Sequence, residues 1–351
     1  MSKFKLLRYQ KLVNKQLKRF IKKYMTAYSS VWNEQFDREI SNFLKEGGKR
    51  LRPVLAAIVY EGTGGNDLDS FIKIALSTEI LHNSTLIHDD IIDESDMRRN
   101  KSSFHKRFEK WFRKRNVDKA KDASEAMAIL AGDHLIFLSF QCVLDSNFPN
   151  DKKLYVIKII RDTSEIVIKG QILDDELENG VANEKDYIQL IEMKTASVFE
   201  SATKVATTLS EVDSKISSLL WKYAKHIGCA FQIQDDILGV FGKQSELGKP
   251  LTSDLASGKK TILTIKAYEN ANDSQKTILD KIISRKNINQ DDVETIKKLF
   301  REVGALEYAR GMANKYANES IRLLAHLKGK IRYDTFKILH KLPTFIINRK
   351  Y

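Results

Sequence analysis

Two acidic clusters, His88-Asp89-Asp90-Ile91-Ile92-Asp93 and Gln234-Asp235-Asp236-Ile237-Leu238, are set in apolar, helix-forming sequence far from one another along the chain. Burying several carboxylates in such surroundings is prohibitively costly unless cations neutralise them. On a helix Asp89 and Asp93 stand at i and i+4 and share one face, so they can present oxygens to a hard cation that also holds a phosphate. The two clusters therefore read as opposing walls of one site for Mg2+ and diphosphate.

Around them apolar residues recur at helical spacing, as in Leu154, Ile157, Ile160, Ile166 and Ile168, or Leu219, Tyr223, Ala224, Ile227 and Phe231. Alternating strand patterns bounded by turns are hard to find. The four prolines among 351 residues, Pro53, Pro149, Pro250 and Pro343, are widely scattered, and no linker-like run of Pro, Gly or Ser divides the chain. One large all-α domain over residues 1–351 is the economical reading. Cys142 and Cys229 lie far apart in apolar segments without metal-ligand spacing, as expected of buried reduced thiols in a cytoplasmic protein.

The formal charge is +13, and the excess is uneven. The first 24 residues hold nine Lys or Arg and no acid, yet no apolar run long enough for a signal peptide or membrane span. Their stripe of Leu6, Tyr9, Val13, Leu17, Phe20 and Tyr24 packs most simply on a helical core. A second basic stretch, Lys101 to Lys121, has nine Lys or Arg against two acids. Such a balance points to phosphates or acidic lipid surfaces. No nucleic-acid partner is expected, because no recognised binding motif accompanies the charge.

Cations also flank the first acidic cluster. Arg98 and Arg99 follow it by two to three helical turns, and Arg suits bidentate phosphate contacts. Upstream, Gly47-Gly48-Lys49-Arg50-Leu51-Arg52-Pro53 reads as a loop entering a helix, where backbone amides and the dipole favour an anion. His82 lies six residues before His88, within the Asp-rich helix.

Together these pieces resemble the trans-isoprenyl diphosphate synthases, in the expected order over nearly the whole chain. The matching segments are Gly48-Lys49-Arg50-Leu51-Arg52-Pro53, Leu86-Ile87-His88-Asp89-Asp90-Ile91-Ile92-Asp93, Arg98-Arg99, Ala128-Ile129-Leu130-Ala131-Gly132-Asp133, Gly170-Gln171, Lys194-Thr195, Phe231-Gln232-Ile233-Gln234-Asp235-Asp236 and Gly248-Lys249-Pro250. The resemblance implies an all-α bundle around a deep central cavity, a homodimer, and a chain-elongating prenyltransferase that condenses isopentenyl diphosphate with allylic diphosphates. It implies Mg2+, three ions per active site, held by Asp89, Asp93 and Asp235. Asp90, Asp236 and Lys194 belong to the same catalytic group. Arg98, Lys194, Thr195, Gln232, Lys249 and Lys259 match positions that hold the allylic diphosphate, and Lys49, Arg52, His82 and Arg99 match those that bind isopentenyl diphosphate. The terminal Asn348-Arg349-Lys350 resembles a basic tail that closes over the pocket. The second motif departs from the usual DDxxD by ending in Gly239. Archaeal geranylgeranyl diphosphate synthases share that departure, so it points to a subgroup and to a C20 product.

In that family the growing chain descends beside the first motif's helix, with bulky residues upstream as its floor. Ser84 and Thr85 are small, and Leu81 is the next bulky candidate, about 12 Å below Asp89 at helical rise. A C15 enzyme is thereby disfavoured, and C25 to C35 products are the rival to C20. A segment from about Phe108 to Ser124 looks like an insertion; its Trp111-Phe112-Arg113-Lys114-Arg115 would suit peripheral contact with an anionic membrane, against the plainer reading of a solvated loop or surface helix. A same-fold terpene cyclase lacks the second, basic diphosphate site. A silent subunit of a heteromeric synthase would usually have lost an aspartate motif, whereas the first is complete here. A phosphohydrolase would need further His-Asp ligands that the sequence lacks.

Overall fold

The computed structural model describes residues 2–25, 30–46, 48–242, 253–283, 285 and 288–349, and it is almost wholly helical. By their contacts the residues group into two units, one of Met1–Ile160 with Ala202–Val212, the other of Arg161–Ser201 with Asp213–Tyr351.

In the first unit α1 (Ser2–Tyr24), α2 (Val31–Lys45) and α3 (Leu51–Gly62) lead to α4 (Leu68–Ile92), which carries the first acidic cluster. The stripe expected on α1 is real: Tyr9, Val13, Leu17 and Phe20 are buried. Asp67 caps α4, its carboxylate accepting from the Ser70 amide at 3.0 Å. At the other end Glu94 takes a left-handed φ of 48° and its amide donates to the Ile91 carbonyl at 3.1 Å, while Ser95 donates to the Asp90 carbonyl at 2.9 Å. This pair of bonds is a Schellman stop. The chain therefore turns back as a short antiparallel hairpin, β1 (Met97–Arg98) and β2 (Lys101–Ser102). The expectation that Arg98 and Arg99 continue a helix is thus corrected: both lie on the hairpin, with Arg99 and Asn100 at φ of 53° and 62° in its two-residue turn.

Next come α5 (Phe104–Arg113) and α6 (Ala120–Leu144), with α6 packed along α4 and α5. The basic stretch is built in rather than looped out. Phe104, Phe108 and Phe112 recur every four residues and are fully buried, so this face of α5 points into the core. Trp111 remains half-exposed beside Trp32, under the guanidinium of Arg115, which lies 3.9 Å from its ring centre. α6 is long and apolar enough to cross a membrane, but nearly half of it is buried in the protein.

α7 (Asn150–Glu178) and α9 (Ser197–Ser210) contribute to both units. The second unit adds α8 (Glu184–Ile191), a π-helical turn (Glu192–Ala196) and α10 (Ser214–Phe241), which carries the second acidic cluster. The four-residue α11 (Ser253–Ala256) is followed by α12 (Ile262–Asn270), α13 (Asp273–Ile282), α14 (Gln290–Glu302), α15 (Ala305–Ala325) and α16 (Tyr333–Ile347). α10 lies against α15, α16 and the π turn, and Tyr223 donates to the Leu339 carbonyl at 2.7 Å to tie α10 to α16. Cys142 and Cys229 are buried free thiols, and burial pushes the Cys229 thiol up to about 12.

Candidate diphosphate and metal site

Adjacent residues on a helix point about 100° apart, and this separates the aspartates of the first cluster. Asp90 is 0 % exposed and turned inward, where the Arg98 Nε donates to its Oδ1 at 2.8 Å. Burial raises the Asp90 carboxyl to about 6, against the pull of the Arg98 charge. Asp89 is partly exposed and accepts from Arg98 Nη2 at 3.2 Å. Asp93 caps the helix, half-exposed, its amide donating to the Asp89 carbonyl at 2.8 Å. Arg98 is thus the cation that compensates this helix end. Burial opposes its charge, but Asp90 and Asp89 outweigh that and raise its pKa.

Two turns back on α4, burial and the charges of Arg52, Arg99 and Arg98 hold His82 neutral, its pKa well below the usual range. The hairpin turn brings Arg99 back to α2, where its Nη1 donates to the Glu46 carbonyl at 2.8 Å and its guanidinium lies over Phe43. Lys49 is exposed in the loop before α3. Ser84 is 1 % exposed and its hydroxyl donates to the Leu81 carbonyl at 2.7 Å, whereas Thr85 is half-exposed. His88, four residues on from Ser84 and so on its face, abuts Gly132 of α6 so closely that any Cβ there would collide with the imidazole. Ser84 therefore faces α6. Leu81 and Thr85 lie on the Asp89 side, at steps of four residues.

The second cluster has the same alternation. Asp236 is buried, accepting from the Tyr187 hydroxyl at 2.7 Å and the Gln232 amide at 2.8 Å. Gln232 in turn accepts from the Thr195 hydroxyl at 2.7 Å, so a continuous chain of hydrogen bonds runs from the π turn to the second motif. Asp235 is the exposed member, and its carboxylate pairs with Arg349, whose guanidinium also donates to the Phe231 carbonyl at 3.1 Å and stacks on the Phe231 ring. Lys194 is held by Asp174 at 2.6 Å. π turns widen the backbone spiral and recur at functional sites. This one is admitted by Gly228, where a Cβ would come within 2.5 Å of the Ala196 Cα.

The structure thus brings together Asp89, Asp90 and Arg98, then Arg52, His82 and Arg99, in the first unit. In the second it gathers Thr195, Gln232 and Asp236, with Lys194 nearby in sequence and Asp235 under Arg349. Asp90 and Asp236, grouped with their neighbours from sequence, are turned inward and hold partner side chains. Lys259 precedes α12, its carbonyl accepting from the Thr261 amide at 3.0 Å. Lys249 and Lys350 lie outside the described residues. Asp174 and Tyr187 escaped the sequence reading; the available signal for Asp174 was its place four residues after Gly170, on the same helical face.

An all-α scaffold with two aspartate-bearing helices, each paired with a buried or half-buried arginine, defines an isoprenoid-synthase-type protein. The chain belongs to the polyprenyl synthetase family, whose pattern residues 33–301 match, and is a chain-elongating prenyltransferase. It is 33 % identical to the geranylgeranyl diphosphate synthase of Saccharolobus solfataricus over 96 % of this chain and 95 % of that one. Identity to the short chain isoprenyl diphosphate synthase of Methanocaldococcus jannaschii is 32 %, covering 88 % of each. In structure it resembles geranylgeranyl pyrophosphate synthase from Corynebacterium glutamicum, solved with isoprenyl diphosphate and magnesium, with a TM-score of 0.90 at 26 % identity over 97 % of this chain and 99 % of that chain.

Proposed function

We propose that the protein condenses isopentenyl diphosphate with allylic diphosphates, in a Mg2+-dependent reaction, and releases chiefly the C20 product, geranylgeranyl diphosphate. The observation that carries this reading is the matched pair of motifs, in each of which one aspartate is buried against protein donors while its neighbour stays accessible beside an arginine.

The donor set fits a hard cation. Asp89 and Asp93 offer carboxylate oxygens from one helix end, and the buried Oδ2 of Asp90 beside them makes no hydrogen bond. Among the described residues no three His, Cys, Asp or Glu side chains form a closed cage. That suits an ion held by one or two carboxylates and completed by substrate oxygens and water. Asp89, Asp93 and Asp235 would hold Mg2+, three ions per site, and such ions would neutralise charge on the departing diphosphate.

The chain's own groups do the rest. Arg98 and Lys194, the latter oriented by Asp174, add positive charge beside the allylic diphosphate. Thr195 and Gln232 fix the neighbouring backbone through Asp236. Lys249 and Lys259 belong to the same proposed subsite. As the allylic carbon–oxygen bond breaks, its electron pair leaves with the diphosphate and an allylic cation remains. Lys49, Arg52, His82 and Arg99 hold isopentenyl diphosphate so that its double bond attacks that cation, and loss of a proton to the released diphosphate restores an allylic product. Neutral His82 can donate one hydrogen bond to a phosphate oxygen without adding charge to an already cationic cluster. Water must be kept from the cation.

The small side chain of Thr85 on the Asp89 side, with Leu81 below it, supports a channel longer than a C15 enzyme requires, while Ser84 packs toward α6. The same observation supports C25 to C35 products as the second reading. The family match spans both units, which supports one functional domain over residues 1–351. Ile129, Leu130, Phe137 and Leu144 of α6 are exposed, Phe137 to 70 %, which supports a homodimer. Exposed Lys110, Arg113, Lys114 and Arg115 near Trp32 and Trp111 support peripheral contact with an anionic membrane by a cytoplasmic enzyme.

Incubation with Mg2+, labelled isopentenyl diphosphate and the C5, C10 or C15 allylic primer, followed by chromatography, tests the proposal. A dominant C20 product is expected. Products of C25 or longer would select the second reading, and no elongation from any primer would contradict both.

A further inference from the structure

Behind the cationic residues of the first unit lies a buried carboxylate that the reaction itself does not need. Glu79, on α4 one turn before His82 and Asn83, is 3 % exposed. Its Oε1 accepts from Arg50 Nη1 at 2.6 Å, a pair buried on both sides. Arg50 is the N-cap of α3 and directly follows Lys49; its φ of 49° is left-handed, and its other Nη donates to the Leu44 carbonyl at 2.6 Å. The same Glu79 oxygen accepts from the Asn83 amide at 3.3 Å, and that amide also donates to the Glu79 carbonyl at 2.7 Å. With its NH2 committed to Glu79, Asn83 turns its oxygen to Arg99 Nη1, 3.4 Å away. Reversing the amide would set NH2 against a guanidinium and oxygen against a carboxylate. Glu46 closes the circuit from outside, taking Arg99 on its carbonyl at 2.8 Å and Arg107 and Lys101 on its carboxylate at 2.9 and 3.1 Å.

A buried ion pair is weak at stabilising a fold, because desolvation offsets the attraction; its strength is in specifying geometry. Arg50 is held in a backbone conformation that costs a non-glycine residue about 1 kcal/mol or more, as is Arg99 in the hairpin turn. Two strained segments tied to one carboxylate is the pattern of a site whose parts must keep a set distance.

We propose that Glu79 is a positioning residue that clamps the loop before α3 and the helix start through Arg50, and the Met97–Ser102 hairpin through Asn83, holding Lys49, Arg52 and Arg99 in register for one diphosphate. The inference rests on the reading of those three residues and His82 as the isopentenyl diphosphate site. It assigns Glu79, Asn83 and Arg50 to affinity for the acceptor substrate, and not to ionisation of the allylic one.

Steady-state kinetics with each substrate varied in turn test it on three variants. Glu79→Gln keeps the shape and removes the charge. Asn83→Ala cuts the link to Arg99 and leaves the Arg50 pair intact. Arg50→Met with Glu79→Leu removes both charges, so no buried charge is left alone if the single variant fails to fold. The KM for isopentenyl diphosphate should rise about tenfold or more in the Glu79 variants, and less in Asn83→Ala, while kcat and the KM for the allylic primer stay within about threefold. An unchanged isopentenyl diphosphate KM in the folded variants, or equal rises in both KM values, overturns the inference. A parent enzyme that does not use isopentenyl diphosphate at all would instead overturn the functional reading on which it rests.

Discussion

His82 shares its surroundings with Arg52, Arg99 and Arg98, whose charges disfavour its protonated form, while that of Asp89 favours it. Its folded pKa is depressed, so the imidazole is neutral in the folded chain and takes up a proton on unfolding once the pH drops below about 6.5. Stability from this residue is therefore present above that pH and is lost as pH falls. Between pH 7 and 5 the parent should lose more unfolding free energy than His82→Gln, by up to about 1.4 kcal/mol per unit below 6.5, measured by urea denaturation at each pH. Parallel losses in the two proteins would contradict the assignment. At this scale the sequence offered candidates wherever residue type alone carries chemistry, as at Asp89, Asp235, Arg52 and Arg99. It did not show that Asp90 and Asp236 are buried against protein donors, because which of two neighbouring carboxylates faces inward depends on the helix that packs against them. Nor could it show that Arg98 returns to Asp90 or that Arg349 reaches Asp235, since those partners meet only through the folded chain.

Helices were legible from apolar period, as the α1 stripe illustrates, but not which apolar residues they bury. On α7 Val156 and Ile160 are buried, yet Leu154, Ile166 and Ile168, which contributed to the same pattern, are exposed. On α5 the cations drew attention to an interfacial role, while the recurrence of Phe104, Phe108 and Phe112 every four residues was the signal for a buried face. The stop of α4 was hidden because its left-handed residue is Glu94 and not glycine, and the hairpin because its turn is Arg99-Asn100 instead of Asn-Gly. The π turn left no periodic trace. Its dependence on close approach is testable: Gly228→Ala gains about 1 kcal/mol of helix propensity, but the methyl must displace the backbone of Ala196, so the variant should be net destabilised by about 1–3 kcal/mol in denaturant. A variant as stable as the parent would show that α10 and the π turn can part without cost.

Over the whole molecule, the family match and the aspartate motifs agree on a prenyl-elongating enzyme even though sequence identity to its relatives is near one third. The spacing of charged side chains on long helices is what the sequence displayed most clearly. The central proposal is that Asp89 and Asp235, the partly exposed partners of buried Asp90 and Asp236, each bind metal needed for departure of the allylic diphosphate. The most direct measurement is the Mg2+-dependent elongation rate of Asp89→Ala and Asp235→Ala, each shown by circular dichroism to be folded. Each variant should fall by about a hundredfold or more in kcat. Elongation at the parent rate by either folded variant would contradict the account.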